Sequence, residues 1–206
     1  MNTWFDFVPC SHEGCTNLAL TNERECWDHL KDQLRFVERI STSGTTDQSF
    51  HRWVLAGIKL KHTNLAGRDF SEACLAGANL EGCDLSQANL ERANLSGAIL
   101  RRANLSFANL EFAILGGADL SEANLEHAIL RRSNLVGSTA RNANCRAAQM
   151  FYSRPGNADF SGACFRNADL QRAIFRNARL VAADLAEALG QANFTGADLS
   201  KANLLV

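Results

Sequence analysis

From about Leu60 to Leu204 the chain repeats every five residues. Ala78-Asn79-Leu80-Glu81-Gly82, Ala88-Asn89-Leu90-Glu91-Arg92 and Ala103-Asn104-Leu105-Ser106-Phe107 are versions of one unit. A helix needs an apolar stripe recurring near every 3.6 residues and a long strand alternates every two, so this period suits neither. It suits short extended segments separated by corners. With the Leu as centre, that residue and the Ala two before it share one face, while the Asn or Asp between them points the other way. The two residues after the centre must turn the chain, and Gly67, Gly77, Gly82, Gly97, Gly117, Gly137, Gly162 and Gly196 stand at the second of them. Ala and Leu therefore point inward to form a narrow apolar axis.

The unit closely resembles the repeat of the pentapeptide-repeat family, A(D/N)LXX, over some 145 of the 206 residues. The resemblance implies an all-β solenoid, a right-handed quadrilateral β-helix with four pentapeptides to a coil. About seven coils, at a strand spacing of roughly 4.8 Å, would make a rod about 35 Å long. Two stretches break the pattern. The centres run through Ala140, Cys145, Met150 and Pro155 before Phe160, which predicts a weak coil with a bulge at 151–156. After Leu185, Ala188 and Leu189 lack the residue between them, which predicts a misaligned last coil.

Ahead of the rod, Cys10, Cys15, Cys26 and His29 follow the spacing C-x4-C-x10-C-x2-H. Three thiolates and an imidazole make a closed tetrahedral set suited to structural Zn2+. The segment resembles small zinc motifs, with Gly14 and Ala19 in their expected places; the alternatives are a redox cluster or chance. His12 falls outside the ligand set. So short a segment cannot bury a core, so a metal would supply its folding energy. Leu30, Leu34, Val37 and Phe36 or Ile40 recur at helical spacing and predict an amphipathic helix from Trp27 through Ile40 that covers the open end of the rod or docks on a partner. The organisation expected is a zinc module and helix over 1–40, a linker over 41–49 and the β-helix over 50–206. Phe50, Trp53 and Leu55 lead into the first coil.

The net charge of −1 hides an asymmetry. Between Asp69 and Glu126 stand nine acidic residues against three Arg, and between Arg131 and Leu180 nine Arg against two Asp. No apolar run approaches membrane-spanning length and the amino terminus lacks a signal pattern, so the expected location is the cytoplasm. Cys83 and Cys145 fall at inward positions and Cys74 and Cys164 at outward ones, consistent with reduced thiols rather than disulfides.

Residues twenty apart stack on the same side of a four-sided coil. One side carries Ala76, Gly77, Ser96, Gly97, Ile114, Gly116, Gly117, Val136 and Gly137 without a charge, either a docking strip for the amino-terminal module or another protein, or ordinary corner residues. Its neighbour carries Phe112, Arg131, Arg132, Phe151, Tyr152 and Arg172, with Phe107 at the adjacent corner. Arg and exposed aromatics concentrate binding energy in interfaces, so this is the expected interaction surface. The apolar end at Leu204, Leu205 and Val206 points to a homodimer through the carboxyl-terminal coils, a mode the resemblance also implies.

Five scattered His and the lack of any Ser/His/Asp or Cys/His pairing argue against an enzyme. The reading is a non-catalytic protein–protein interaction scaffold. The alternative implied by the resemblance is a DNA mimic acting on DNA gyrase or topoisomerase, as in quinolone resistance or toxin self-protection. Such mimics are acidic along the rod, whereas residues 50–206 here hold 17 basic and 14 acidic residues. Direct nucleic-acid binding is disfavoured, because residues 1–49 carry four basic against eight acidic residues.

Overall fold

The structure, a computed structural model, describes residues 8–41 and 49–205. From Phe50 onward the chain is a four-sided coil. Each outward Asn or Asp position bridges in parallel to the position twenty residues on, as in Asn89 to Asn109 and Asn104 to Asn124. Sides I, II, III and IV carry the centres Leu90, Leu95, Leu100 and Leu105 respectively. Coils 1 to 8 are numbered from side I, at Phe50, Phe70, Leu90, Leu110, Leu130, Met150, Leu170 and Gly190. The coiling starts ten residues before the unbroken Leu series, because Phe50 and Leu55 already occupy centres.

The repeat satisfies all five of its N–H groups, and this explains its residue types. Around Leu90, Ala88 donates to the Leu85 carbonyl at 3.1 Å, Asn89 to Arg68 at 2.9 Å, Leu90 to Asn109 at 2.7 Å and Arg92 to Glu111 at 2.9 Å. The fifth donor, Glu91 N–H, has no backbone partner and donates instead to Asn89 Oδ1 at 3.2 Å. Thus the outward Asn or Asp is an Asx cap for the corner that follows it. Its amide also climbs the rod: Asn124 Nδ2 donates to Asn104 Oδ1 at 3.3 Å, and Asn104 Nδ2 to Asp84 Oδ1 at 3.0 Å. The second corner residue is left-handed in every complete repeat, whether it is Gly97 at φ 63° or Arg92 at 55°.

The coil expected to bulge is regular. Ala140 donates to the Asp159 carbonyl at 2.7 Å and Met150 to Asp169 at 2.8 Å, so the ladder runs through it. Core volume is restored one coil later: Phe160 follows Ala140, Phe165 follows Cys145 and Phe175 follows Pro155, and the three rings cluster with centroids 5.2–6.0 Å apart. The bridge between Arg154 and Ile174 is missing, because Pro155 has no N–H to donate, although Ile174 N–H still donates to the Ser153 carbonyl at 3.0 Å.

The second break is real but lies elsewhere in the repeat. Leu189 pairs with Asp169 and therefore takes the outward position, where it is 62% exposed, while Gly190 has the register of a centre but is itself exposed. The missing residue is the second corner residue after Gln191, since Arg172 still bonds to Gln191 while Phe175 bonds to Asn193. Beyond it the ladder continues with an offset of nineteen, as in Arg179 to Asp198. The last coil is shortened at one corner and stays paired.

The amino-terminal region holds a bridge between Pro9 and Leu18, a 3-10 turn over Trp27–His29, and helix α1 over Gln33–Ser41. The helix is shorter than the predicted segment because the Cys26–His29 turn diverts the chain, and Asp32 Oδ1 then accepts from Arg35 N–H at 2.9 Å. Phe36 and Ile40 are buried, but Leu34, assigned from spacing to the apolar face, is 79% exposed. Leu20, Trp27, Phe36 and Ile40 join one continuous core with Phe50, Leu55 and Ile58, so this region covers the first coil. Most of the expected linker, residues 42–48, lies outside the described residues, as do residues 1–7 and Val206.

Candidate metal centre and interaction surfaces

The four donors chosen from spacing converge: the ligand atoms of Cys10, Cys15, Cys26 and His29 all lie within 4.8 Å of one another. His29 Nδ1 is 3.4 Å from both Cys10 Sγ and Cys26 Sγ, and Cys15 Sγ is 3.8 Å from Cys26 Sγ. A tetrahedron built on Zn–S of 2.3 Å and Zn–N near 2.05 Å has S–S edges of about 3.8 Å and S–N edges of about 3.6 Å. The donor set fits a zinc ion in both chemistry and size. Burial pushes the Cys10 thiol up, but the N–H of Cys26, donating to Cys10 Sγ at 3.3 Å, helps draw it down to about 6.

Asn17 is part of this site, and the ligand spacing did not select it. Its N–H donates to Cys15 Sγ at 3.4 Å and its side chain to Cys26 Sγ at 3.8 Å. A donor two residues after a thiolate is the available signal. His12 lies outside the four converging donors, and its ring stacks on His29 with centroids 4.0 Å apart.

The module sits against sides II and III of the first coils. Thr21 N–H donates to Val54 O at 3.0 Å, Val54 N–H to Thr21 Oγ1 at 2.6 Å, and Lys59 Nζ lies 3.5 Å from Asp28 Oδ1. Leu18, Trp27 and Asp28 face Ala56, Gly57, Ala76 and Gly77 across a narrow cleft. Here the uncharged strip of side II receives the module. Cys74, outward by phase, is only 3% exposed, and burial raises its thiol. Cys83 is pushed up to about 11 by burial, and Cys145 is raised for the same reason. All described cysteines are free thiols.

On side I the second corner residues form a column: Arg52, Glu72, Arg92, Phe112, Arg132, Tyr152 and Arg172. The Phe112 ring lies between two guanidinium groups, with Arg92 Cζ at 5.0 Å and Arg132 Cζ at 5.4 Å from its centroid. Arg172 lies 5.2 Å from the Tyr152 centroid and donates to its hydroxyl. Phe151 meets Tyr152 edge-on at 4.4 Å, and Arg131 donates to Gln149. Six of the seven expected surface residues are thus together. Phe107 stands one corner away on side IV, stacked on His127 at 4.8 Å.

Charge is distributed unevenly among the sides. On sides III and IV carboxylates one coil away neutralise most guanidinium groups, as in Arg102–Glu122 at 2.9 Å and Arg141–Asp159 at 2.8 Å. Among the described residues, Arg131, Arg132 and Arg172 on side I, and Arg154 and Arg176 on side II, have no carboxylate within ion-pair reach. The carboxyl end, expected as a dimer contact, leaves Leu204 and Leu205 exposed. No helix among the described residues is long and apolar enough to cross a membrane.

No curated protein matches the chain. Among solved structures it is similar to HetL, a pentapeptide repeat protein involved in heterocyst differentiation regulation from the cyanobacterium Nostoc sp. strain PCC 7120. The two are 31% identical over 75% of this chain and 73% of that one, with a TM-score of 0.53. A trypsin-treated variant of QnrB1, a plasmid-mediated fluoroquinolone resistance protein, shares the fold at 22% identity over 73% of this chain and 76% of that one, with a TM-score of 0.52. Pentapeptide repeats match in 8 copies over residues 54–87, 83–121, 118–151, 156–189 and 188–205, and the chain belongs to the pentapeptide-repeat family.

Proposed function

We propose that this chain is a non-catalytic protein-interaction scaffold: a right-handed β-helical rod that presents side I to a protein partner, with a zinc-stabilised module closing its first coil. The observation that carries the reading is the column on side I, where the Phe112 and Tyr152 rings alternate with Arg92, Arg132 and Arg172, the last two meeting no carboxylate among the described residues. Such groups can exchange water for a partner's carboxylates and rings without first breaking an internal ion pair. The likeness to HetL, a protein involved in regulation, supports a regulatory scaffold rather than an enzyme. Affinity capture from native extract tests it. Wild-type chain should retain a defined protein that a Phe112→Ala/Arg132→Glu variant loses, and equal retention by both would overturn side I as the interaction side.

The Cys10, Cys15, Cys26 and His29 set is proposed to hold structural zinc. Four protein donors leave no open position for a substrate or water, which assigns the ion to folding rather than catalysis. Metal analysis of purified protein should give one zinc per chain.

The topoisomerase reading rests on the fold shared with a fluoroquinolone resistance protein. The unpaired Arg residues of coils 5 to 7 oppose it, because a positively charged rod repels a surface built for DNA. A supercoiling assay with added fluoroquinolone decides it: protection at micromolar protein would establish the mimic.

A further inference from the structure

Side I is self-complementary. We propose that its partner is a second copy of this chain, laid antiparallel against it about a two-fold axis crossing the side between coils 4 and 5. This inference rests on side I being the interaction side and names what occupies it.

Such an axis sets coil n of one copy against coil 9 − n of the other, and each corner column against itself. Glu72 of coil 2 then faces Arg172 of the second copy, Arg92 faces Tyr152, and Phe112 faces Arg132. In the column beside it, Glu111 faces Arg131. These four oppositions are opposite-charge or cation–ring pairs, repeated twice by symmetry, while Glu91 faces Phe151 and Ser71 faces Gln171 without such a gain; Glu72 and Arg92 would share their charges with Arg52 and Glu91 of their own chain. A shift of one coil either way destroys this. With coil 8 − n opposed, Arg92 meets Arg132 and Arg52 meets Arg172; with coil 10 − n opposed, Arg92 meets Arg172 and Arg132 meets itself. The charge asymmetry of the rod, acidic before Glu126 and basic after Arg131, is the pattern that an antiparallel pair neutralises.

One opposition is unfavourable: Asp69 faces Asp169 one column back, although each is tied into its own corner, accepting from Ser71 N–H and Gln171 N–H at 3.0 Å each. At the ends, coil 1 carries the module beside Arg52, where Asn22 and Glu23 line a hollow with it. The opposing coil 8 is the one whose corner residue is missing after Gln191, so the rod is cut back where the module of the second copy needs room. From coil 2 to coil 7 the contact runs about 24 Å.

Sedimentation equilibrium of the full chain at low salt tests the proposal. The wild type should be a dimer at about 50 μM that weakens as salt is raised. Glu72→Arg and Arg172→Glu should each weaken it about tenfold or more, and the double reversal on one chain should restore it to within about threefold. Both residues are on the surface, and circular dichroism verifies that each variant is folded. A wild type that is monomeric at about 100 μM overturns the proposal, as does a double reversal no better than the singles. A dimer indifferent to both reversals but lost in Leu204→Glu/Leu205→Glu overturns it in favour of end-to-end pairing. If the wild type is monomeric while Phe112→Ala/Arg132→Glu still loses a captured protein, side I remains the interaction side and its occupant is another protein.

Discussion

Ala182 holds a left-handed φ of 55° with only a methyl group at that corner. A non-glycine residue there costs about 1–2 kcal/mol, and Gly loses about 0.5–1 kcal/mol of backbone entropy on folding. Ala182→Gly should therefore stabilise the rod by about 0.5–1 kcal/mol in urea denaturation. Gly190 is the opposite case. A Cβ there would lie 2.7 Å from Gln171 Cα at a φ of 87°, so Gly190→Ala should cost about 2–3 kcal/mol. The Asx caps are a third residue-scale effect. Asn89→Ala strands Glu91 N–H and cuts the amide ladder to Asp69 and Asn109, a loss of about 1 kcal/mol. Asp84 adds a pH dependence: burial alone would raise its carboxyl, but donors from Ser86 and Asn104 hold it below the usual range. A carboxyl lowered in the folded state contributes stability above its unfolded value, near pH 4, and that contribution disappears as pH falls through the folded value. Asp84→Asn keeps an accepting oxygen, so its urea midpoint should fall less than the wild type's between about pH 5 and pH 2.

At the scale of elements, the Cys10, Cys15, Cys26 and His29 cluster and helix α1 depend on each other and on the rod. Trp27 is buried beside Cys26 of that cluster, while Phe36 and Ile40 enter the core of coil 1. Cys26→Ser should abolish stoichiometric zinc and unfold residues 8–41, while the far-ultraviolet signal of the coils survives, because their ladder does not pass through the module. Ile40→Ala should cost about 3 kcal/mol locally, read as faster amide exchange in α1 and coil 1. Leu34→Ala should be nearly neutral. That contrast separates packing from helix propensity. Periodicity alone had grouped Leu34 with Ile40, because four apolar residues in fourteen fit more than one helical stripe. Once the Cys26–His29 turn fixes where α1 begins, only the Phe36 and Ile40 face can reach Phe50.

Across the whole molecule, stability and recognition occupy different directions of the same coil. The core is one column of inward Ala and centre residues from Leu55 to Leu185, in which Phe160, Phe165 and Phe175 offset Ala140, Cys145 and Pro155. The weak coil was expected from the small centres, but the backbone ladder depends on peptide groups and not on centre size. Volume only has to balance between stacked neighbours, which are twenty residues apart and invisible in a window of ten. The surface follows the same rule: Arg141 and Asp159 neutralise each other across eighteen residues, whereas Arg132 and Arg172 find only rings.

The sequence by itself determined the repeat, the inward Ala and centre residues, the family and the four converging donors Cys10, Cys15, Cys26 and His29, because each is a short-range pattern of residue type and spacing. Tertiary structure alone decided that Leu189 faces outward and that Gly190, in the register of a centre, is exposed, that Cys74 lies beneath the module, that the Asx side chain caps the corner, and which Arg residues remain unpaired. Those outcomes depend on what the adjacent coil or the docked module places opposite a residue. A local period cannot specify an opposite neighbour when the chain must travel a full turn to reach it.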